Sequence, residues 1–93
     1  MVNEISSIRI IISGEVQGVF FRKYTRQKAL ELELEGEVMN QPDGTVCVHA
    51  TGTTDQLEAL TAFCRTGPPA AKVSYVGVET ISFIKFTGFR ILK

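Results

Sequence analysis

Tryptophan is absent from this chain, histidine occurs once and cysteine only twice. Cys47 and Cys64 are too few and too far apart for a disulfide framework or a metal knuckle, so both read as buried reduced thiols. His49 has no second imidazole or thiolate at ligand spacing and reads as a strand residue rather than a metal ligand or a base. No metal site and no cofactor are expected. A surplus of one charge sign is also missing, because ten Lys and Arg balance ten Asp and Glu. That balance excludes a global field that would hold nucleic acid or an anionic membrane surface non-specifically, and any anion binding must be local. The apolar runs are short: Ile10 to Ile12 and Val73 to Val78 fall far below the roughly 20 residues of a membrane helix. Met1-Val2-Asn3-Glu4 has no basic region leading into an apolar signal segment, so the expected location is cytoplasmic.

What remains is an ordinary globular balance, with 44% apolar and 22% charged residues. A chain of 93 residues is long enough for one core and too short for two, so residues 1–93 are expected to form a single domain and a monomer.

Ile8, Ile10 and Ile12 alternate with Arg9, Ile11 and Ser13, the period of a strand. From Phe21 the positions Phe21, Tyr24, Thr25, Ala29 and Leu32 recur on one face of a helix that ends between Leu32 and Glu35. Gly36 opens a strand through Val38 to Gln41. Pro42-Asp43-Gly44 then turns the chain back into a strand over Thr45 to Thr51, with Cys47, His49 and Thr51 on one side and Val46, Val48 and Ala50 on the other. Thr53 with Gln56 makes a capping box, so a second helix starts at Thr54. Leu57, Leu60, Thr61 and Cys64 form its inner stripe, Phe63 widens it, and Gly67-Pro68-Pro69 stops it. Val73 to Thr80 and Phe86 to Ile91 are the last strands. This order predicts an α+β, ferredoxin-like split βαβ fold: an antiparallel sheet, two helices on one face and a short fifth strand. The fold by itself says nothing about chemistry.

The first strand and first helix are joined by Gly14-Glu15-Val16-Gln17-Gly18-Val19-Phe20-Phe21-Arg22. Such a segment places free backbone N–H groups beside the positive end of a helix, a geometry that takes phosphate, and Arg22 in the first turn adds a planar fork of donors. The same spacing also makes a plain tight turn, and the loop alone does not choose between the two.

The wider pattern is more specific. Gly14-x-Val16-Gln17-Gly18-Val19-x-Phe21-Arg22, followed by Thr25, then Gly36-x-Val38-x-Asn40 and Asp43-Gly44-x-Val46, closely resembles the acylphosphatase family. The resemblance runs from Ile8 through Gly67-Pro68 to Phe89. It implies an enzyme that hydrolyses the carboxyl-phosphate bond of small acyl phosphates. It also implies phosphate binding by Arg22 and by the backbone amides of Glu15, Val16, Gln17, Gly18, Val19, Phe20 and Phe21, and a nucleophilic water oriented by Asn40. The chemistry agrees: an acyl phosphate is a reactive anhydride with a good leaving group, so positioning and charge stabilisation suffice. On this reading Arg22→Ala removes phosphate binding and spares the fold.

Two positions depart from the family. Glu33 stands where a glycine commonly ends the first helix, and Glu37 stands where an aromatic often precedes the valine of the second strand. Both bear on local stability. Glu31, Glu33, Glu35 and Glu37 form an alternating acidic run that reads as a solvated edge rather than a Ca²⁺ site. Three other functions compete with this reading. A non-catalytic anion-binding module is disfavoured by the presence of both Arg22 and Asn40. The acylphosphatase-like region of a larger carbamoyl-transferring protein fits less well than a free-standing enzyme. An RNA binder lacks the basic-glycine-aromatic string on its sheet.

Overall fold

A computed structural model describes residues 4–92. The strand β1 (Ile5–Glu15) buries Ile8, Ile10 and Ile12 on one face and keeps Arg9, Ile11 and Ser13 half-buried on the other. It pairs antiparallel with β3 (Val46–Thr53) and with β4 (Lys72–Ile81), and β3 pairs antiparallel with β2 (Glu35–Asn40). The helices α1 (Phe21–Glu31) and α2 (Thr54–Thr66) cover the sheet, and Phe21, Ala29, Leu57, Leu60 and Cys64 meet Ile10, Ile12, Val38, Val46 and Val48 in one core. The inward stripe of α1 is Phe21, Thr25 and Ala29, whereas Tyr24, expected there, is exposed. The capping box of α2 forms as expected: the Gln56 N–H donates to Thr53 Oγ1 at 3.2 Å and the Thr53 N–H donates to Gln56 Oε1 at 2.8 Å. Burial pushes the Cys64 thiol up to about 12, which keeps it protonated and apolar in the core.

One expectation needs correction. The sheet is mixed rather than wholly antiparallel: β5 (Phe89–Leu92) lies parallel to β2 at the far edge, giving the order β4-β1-β3-β2-β5. The segment joining β4 to β5 explains this direction. It crosses the end of the sheet, where the Ile84 N–H donates to Ser7 Oγ at 2.9 Å and Thr51 Oγ1 donates to the Ile84 carbonyl at 2.7 Å. Lys85 then reaches Glu35 at 3.4 Å, and the Gly36 N–H donates to the Gly88 carbonyl at 3.0 Å. The chain thus arrives beside the start of β2 and can only run the same way. Phe86 stays outside the strand and half-buried, while Phe89 is buried.

The two departures acquire local roles. Glu33 sits at φ 60° just after α1, with its N–H donating to the Leu30 carbonyl at 3.1 Å and the Leu34 N–H donating to the Ala29 carbonyl at 2.9 Å. This is the Schellman ending, with a carboxylate-bearing residue at the left-handed position glycine prefers. Glu37 Oε2 lies 3.0 Å from His49 Nδ1, and His49 Nε2 accepts from Arg9 Nε at 3.2 Å. Arg9 also pairs with Glu79, so a polar row crosses β4, β1, β3 and β2 on the face away from the helices.

Candidate active site

The loop between β1 and α1 begins at a register shift in the β1–β4 pairing between Ser13 and Gly14. Gly14 has φ 126°, and a side chain there would collide with the Lys72 carbonyl and the Ser74 N–H of β4. This glycine therefore serves the strand contact. Gly18 has φ 75° with nothing near its missing Cβ, so backbone conformation alone demands it. Val16 is buried and pins the loop to the core from one side, and Phe21 pins it from the other. A Cβ on Gly67 would come within 2.8 Å of the Phe21 ring, so the residue that ends α2 also makes room for this anchor.

Between these anchors the chain bends and takes no part in a ladder. Among the described residues, no N–H from Val16 to Phe20 donates to another backbone group. Phe20 precedes α1 in the left-handed conformation, φ 63° and ψ 23°, with no side-chain cap on the helix. Unsatisfied amides and an uncapped helix start together make a ready cradle for an anion.

Arg22 is half-buried, and its guanidinium donates to the Leu92 carbonyl at 2.9 Å, with no other hydrogen bond from the fork among the described residues. One turn on, Arg26 donates to the Phe89 carbonyl at 2.8 Å. The fifth strand thus holds the arginine that the sequence singled out. Asn40 closes β2 opposite Val46, and its Oδ1 is buried with no hydrogen-bond donor among the described residues. An orphaned acceptor of this kind costs on the order of 1–3 kcal/mol until something donates to it.

Arg22 and Asn40 line one cavity of about 280 Å³, together with Val16, Gly18, Phe20 and Phe21 of the loop; Lys23 and Ile91 complete its wall. Glu15, Gln17 and Val19 do not line it: Glu15 ends the β1 ladder opposite Lys72, and Val19 packs against the core. A larger cleft of about 470 Å³ lies between α2 and the β4 edge, but Glu58 and Arg65 line it and no open run of amides does. The smaller cavity is the one that brings Arg22, Asn40 and the open loop amides together.

Gln17 contributes something the sequence reading omitted. Its side-chain amide donates to the carbonyls of Gln41 at 2.8 Å and Thr45 at 2.9 Å, tying the loop to the hairpin that follows Asn40. The hairpin is itself stiff: the Gln41 N–H donates to the Thr45 carbonyl at 2.9 Å, and Thr45 donates to Asp43 Oδ1 through its N–H at 3.0 Å. The Thr45 hydroxyl beside Asp43, helped by that backbone N–H, holds the carboxyl below its ordinary value. Side-chain identity at Gln17 and Lys23 was available in the sequence, but no local spacing rule assigns either a partner across the fold.

An antiparallel four-strand core, a parallel fifth strand at its edge and two helices over the sheet define an α+β domain of the ferredoxin-like class. The acylphosphatase family model matches residues 8–91. An acylphosphatase of Acaryochloris marina is 44% identical over 93 residues, spanning 100% of both chains. Among solved structures, an acylphosphatase from Coxiella burnetii superposes with a TM-score of 0.92 at 42% identity, covering 97% of this chain and 94% of that one. The acylphosphatase from Bacillus subtilis gives 0.91 at 32% identity, with coverage of 97% and 100%. The chain belongs to the acylphosphatase family and is an enzyme that hydrolyses acyl phosphates.

Proposed function

We propose that hydrolysis proceeds by in-line attack of a water oriented by Asn40 on a phosphoryl group held by Arg22 and by the backbone amides of the loop residues that line its cavity, Val16, Gly18, Phe20 and Phe21. The observation that carries this reading is the single cavity shared by Arg22, Asn40 and a loop whose N–H groups make no backbone hydrogen bond. Charge spreads over the three equatorial phosphoryl oxygens in the transition state, and these face the amides and the guanidinium. Water adds to phosphorus as the bond to the acyl oxygen breaks, and that electron pair leaves on the carboxylate. The Asn40 amide accepts from the water through Oδ1 and offers its NH₂ to phosphate, so it orients without acting as a base. The water's proton passes to a phosphoryl oxygen of the substrate, and the products are a carboxylate and inorganic phosphate. A cytoplasmic monomer completes the reading; cell fractionation and sedimentation test that part.

Steady-state hydrolysis of benzoyl phosphate with chelator present tests the mechanism. Wild type is expected to turn over, Arg22→Ala to lose both turnover and inhibition by inorganic phosphate, and Asn40→Ala to lose turnover while inorganic phosphate still binds. Equal loss of phosphate affinity in the two variants would refute the division of labour. Folded wild type that binds phosphate without turnover would favour a non-catalytic anion module.

A further inference from the structure

We propose that Lys23, with Phe20 and Ile91, forms an acyl-group subsite at the mouth of the phosphate cavity, favouring acyl phosphates whose acyl chain carries a second negative charge. This rests on the phosphate placement argued above and extends it to the other half of the substrate.

Charge at the start of α1 is the first ground. Its first turn contains Arg22 and Lys23 and no acidic residue, the reverse of what the helix macrodipole favours. A phosphoryl group brings about two negative charges near neutral pH, and Arg22, the amides and the helix start are together suited to it. Lys23 is a further cation on the same cavity wall. Successive helix residues point about 100° apart, so Lys23 leaves the helix in a different direction from Arg22. Its ammonium instead lies 6.0 Å from the centre of the exposed Phe20 ring. Lys28, Lys85 and Arg9 each face a carboxylate, whereas Lys23 has no such partner among the described residues.

Apolar exposure beside it is the second ground. Phe20 is 68% exposed and Ile91 is 43% exposed, yet both belong to the cavity wall. Phe20 holds that place with a left-handed backbone, a strained conformation for a residue with a side chain. Two large apolar groups and a cation at one rim suit a short acyl chain with an anionic far end: methylenes cover Phe20 and Ile91, and the distal carboxylate meets the ammonium.

Succinyl phosphate and butyryl phosphate differ chiefly in that distal carboxylate, and their ratio of kcat/KM isolates the subsite from any effect of Lys23 on the shared phosphoryl group. Wild type at low ionic strength is expected to prefer succinyl phosphate, with the ratio falling about threefold in Lys23→Gln and further in Lys23→Glu, and collapsing for wild type in high salt. A ratio unchanged by both substitutions overturns the subsite while leaving the phosphate site standing. If wild type hydrolyses neither compound, the phosphate site itself is misplaced and the subsite falls with it.

Discussion

Gln17 joins two pieces of chain that the proposed mechanism needs at a fixed separation. Its two amide hydrogens are both spent on hairpin carbonyls, and it lies outside the cavity, so its effect on catalysis is one of position. Gln17→Ala removes both bonds, each worth about 1 kcal/mol net in a protein. The loop then loses its register against Asn40 rather than its own amides. We expect kcat for benzoyl phosphate to fall about tenfold while the inhibition constant of inorganic phosphate changes by less than about threefold, a split that general loosening of the fold does not produce. Parallel loss of both quantities would show that Gln17 only supports the loop. Arg22 likewise has a second task at this scale. Its bond to the Leu92 carbonyl means that Arg22→Ala is expected to loosen the end of β5 as well as the proposed phosphate site while leaving the core intact.

At the scale of elements, the clearest lever is the end of α1. Glu33 occupies the left-handed position of a Schellman motif whose flanking apolar partners, Ala29 and Leu34, are both buried. Glycine adopts that conformation without a Cβ penalty, although it also gains freedom in the unfolded chain. Glu33→Gly is therefore expected to stabilise the protein by about 0.5–1 kcal/mol, raising Tm by several degrees in a domain of this size. A lowered Tm in a calorimetric scan would mean that the Glu33 side chain makes a contribution that its exposed position does not suggest. The acidic run around it has no common purpose: Glu31 faces Lys28 at 3.9 Å, Glu35 faces Lys85 at 3.4 Å and Glu37 faces His49 at 3.0 Å. Elements of this kind were largely legible in the sequence, because caps, turns and period are local signals. Thr53 with Gln56 marked the start of α2, and Asp43-Gly44 marked the hairpin. Tyr24 was misplaced because a helix stripe allows neighbouring positions to compete, and the smaller Thr25 takes the buried one.

The molecule as a whole ties its shortest strand to the proposed phosphate site. With only four residues, β5 is held by parallel pairing to β2, by Phe89 in the core and by Arg22 and Arg26 on its carbonyls. The Phe89 ring also lies where a Cβ on Gly36 would come within 2.9 Å of it, so strand pairing and core packing use the same contact. Phe89→Leu is expected to cost about 1 kcal/mol and to lower Tm by about 4–8 °C. Because Leu92 and Ile91 lie on the same strand, inhibition by inorganic phosphate should weaken in this variant too. A stability loss with unaltered phosphate inhibition would separate the strand from the site.

The residues alone determined the secondary elements, the ferredoxin-like class, and the loop and asparagine that the family resemblance points to, because each of these rests on signals a few residues apart. Tertiary structure decided the parallel entry of β5, the Leu92 carbonyl on Arg22, the Gln17 bridge to the hairpin and the place of Lys23 at the cavity mouth. Each of these joins side chains or carbonyls to partners about twenty or more positions away, or depends on how a helix start meets a closing strand. No local pattern encodes such meetings; they exist only once the sheet order has brought those segments together.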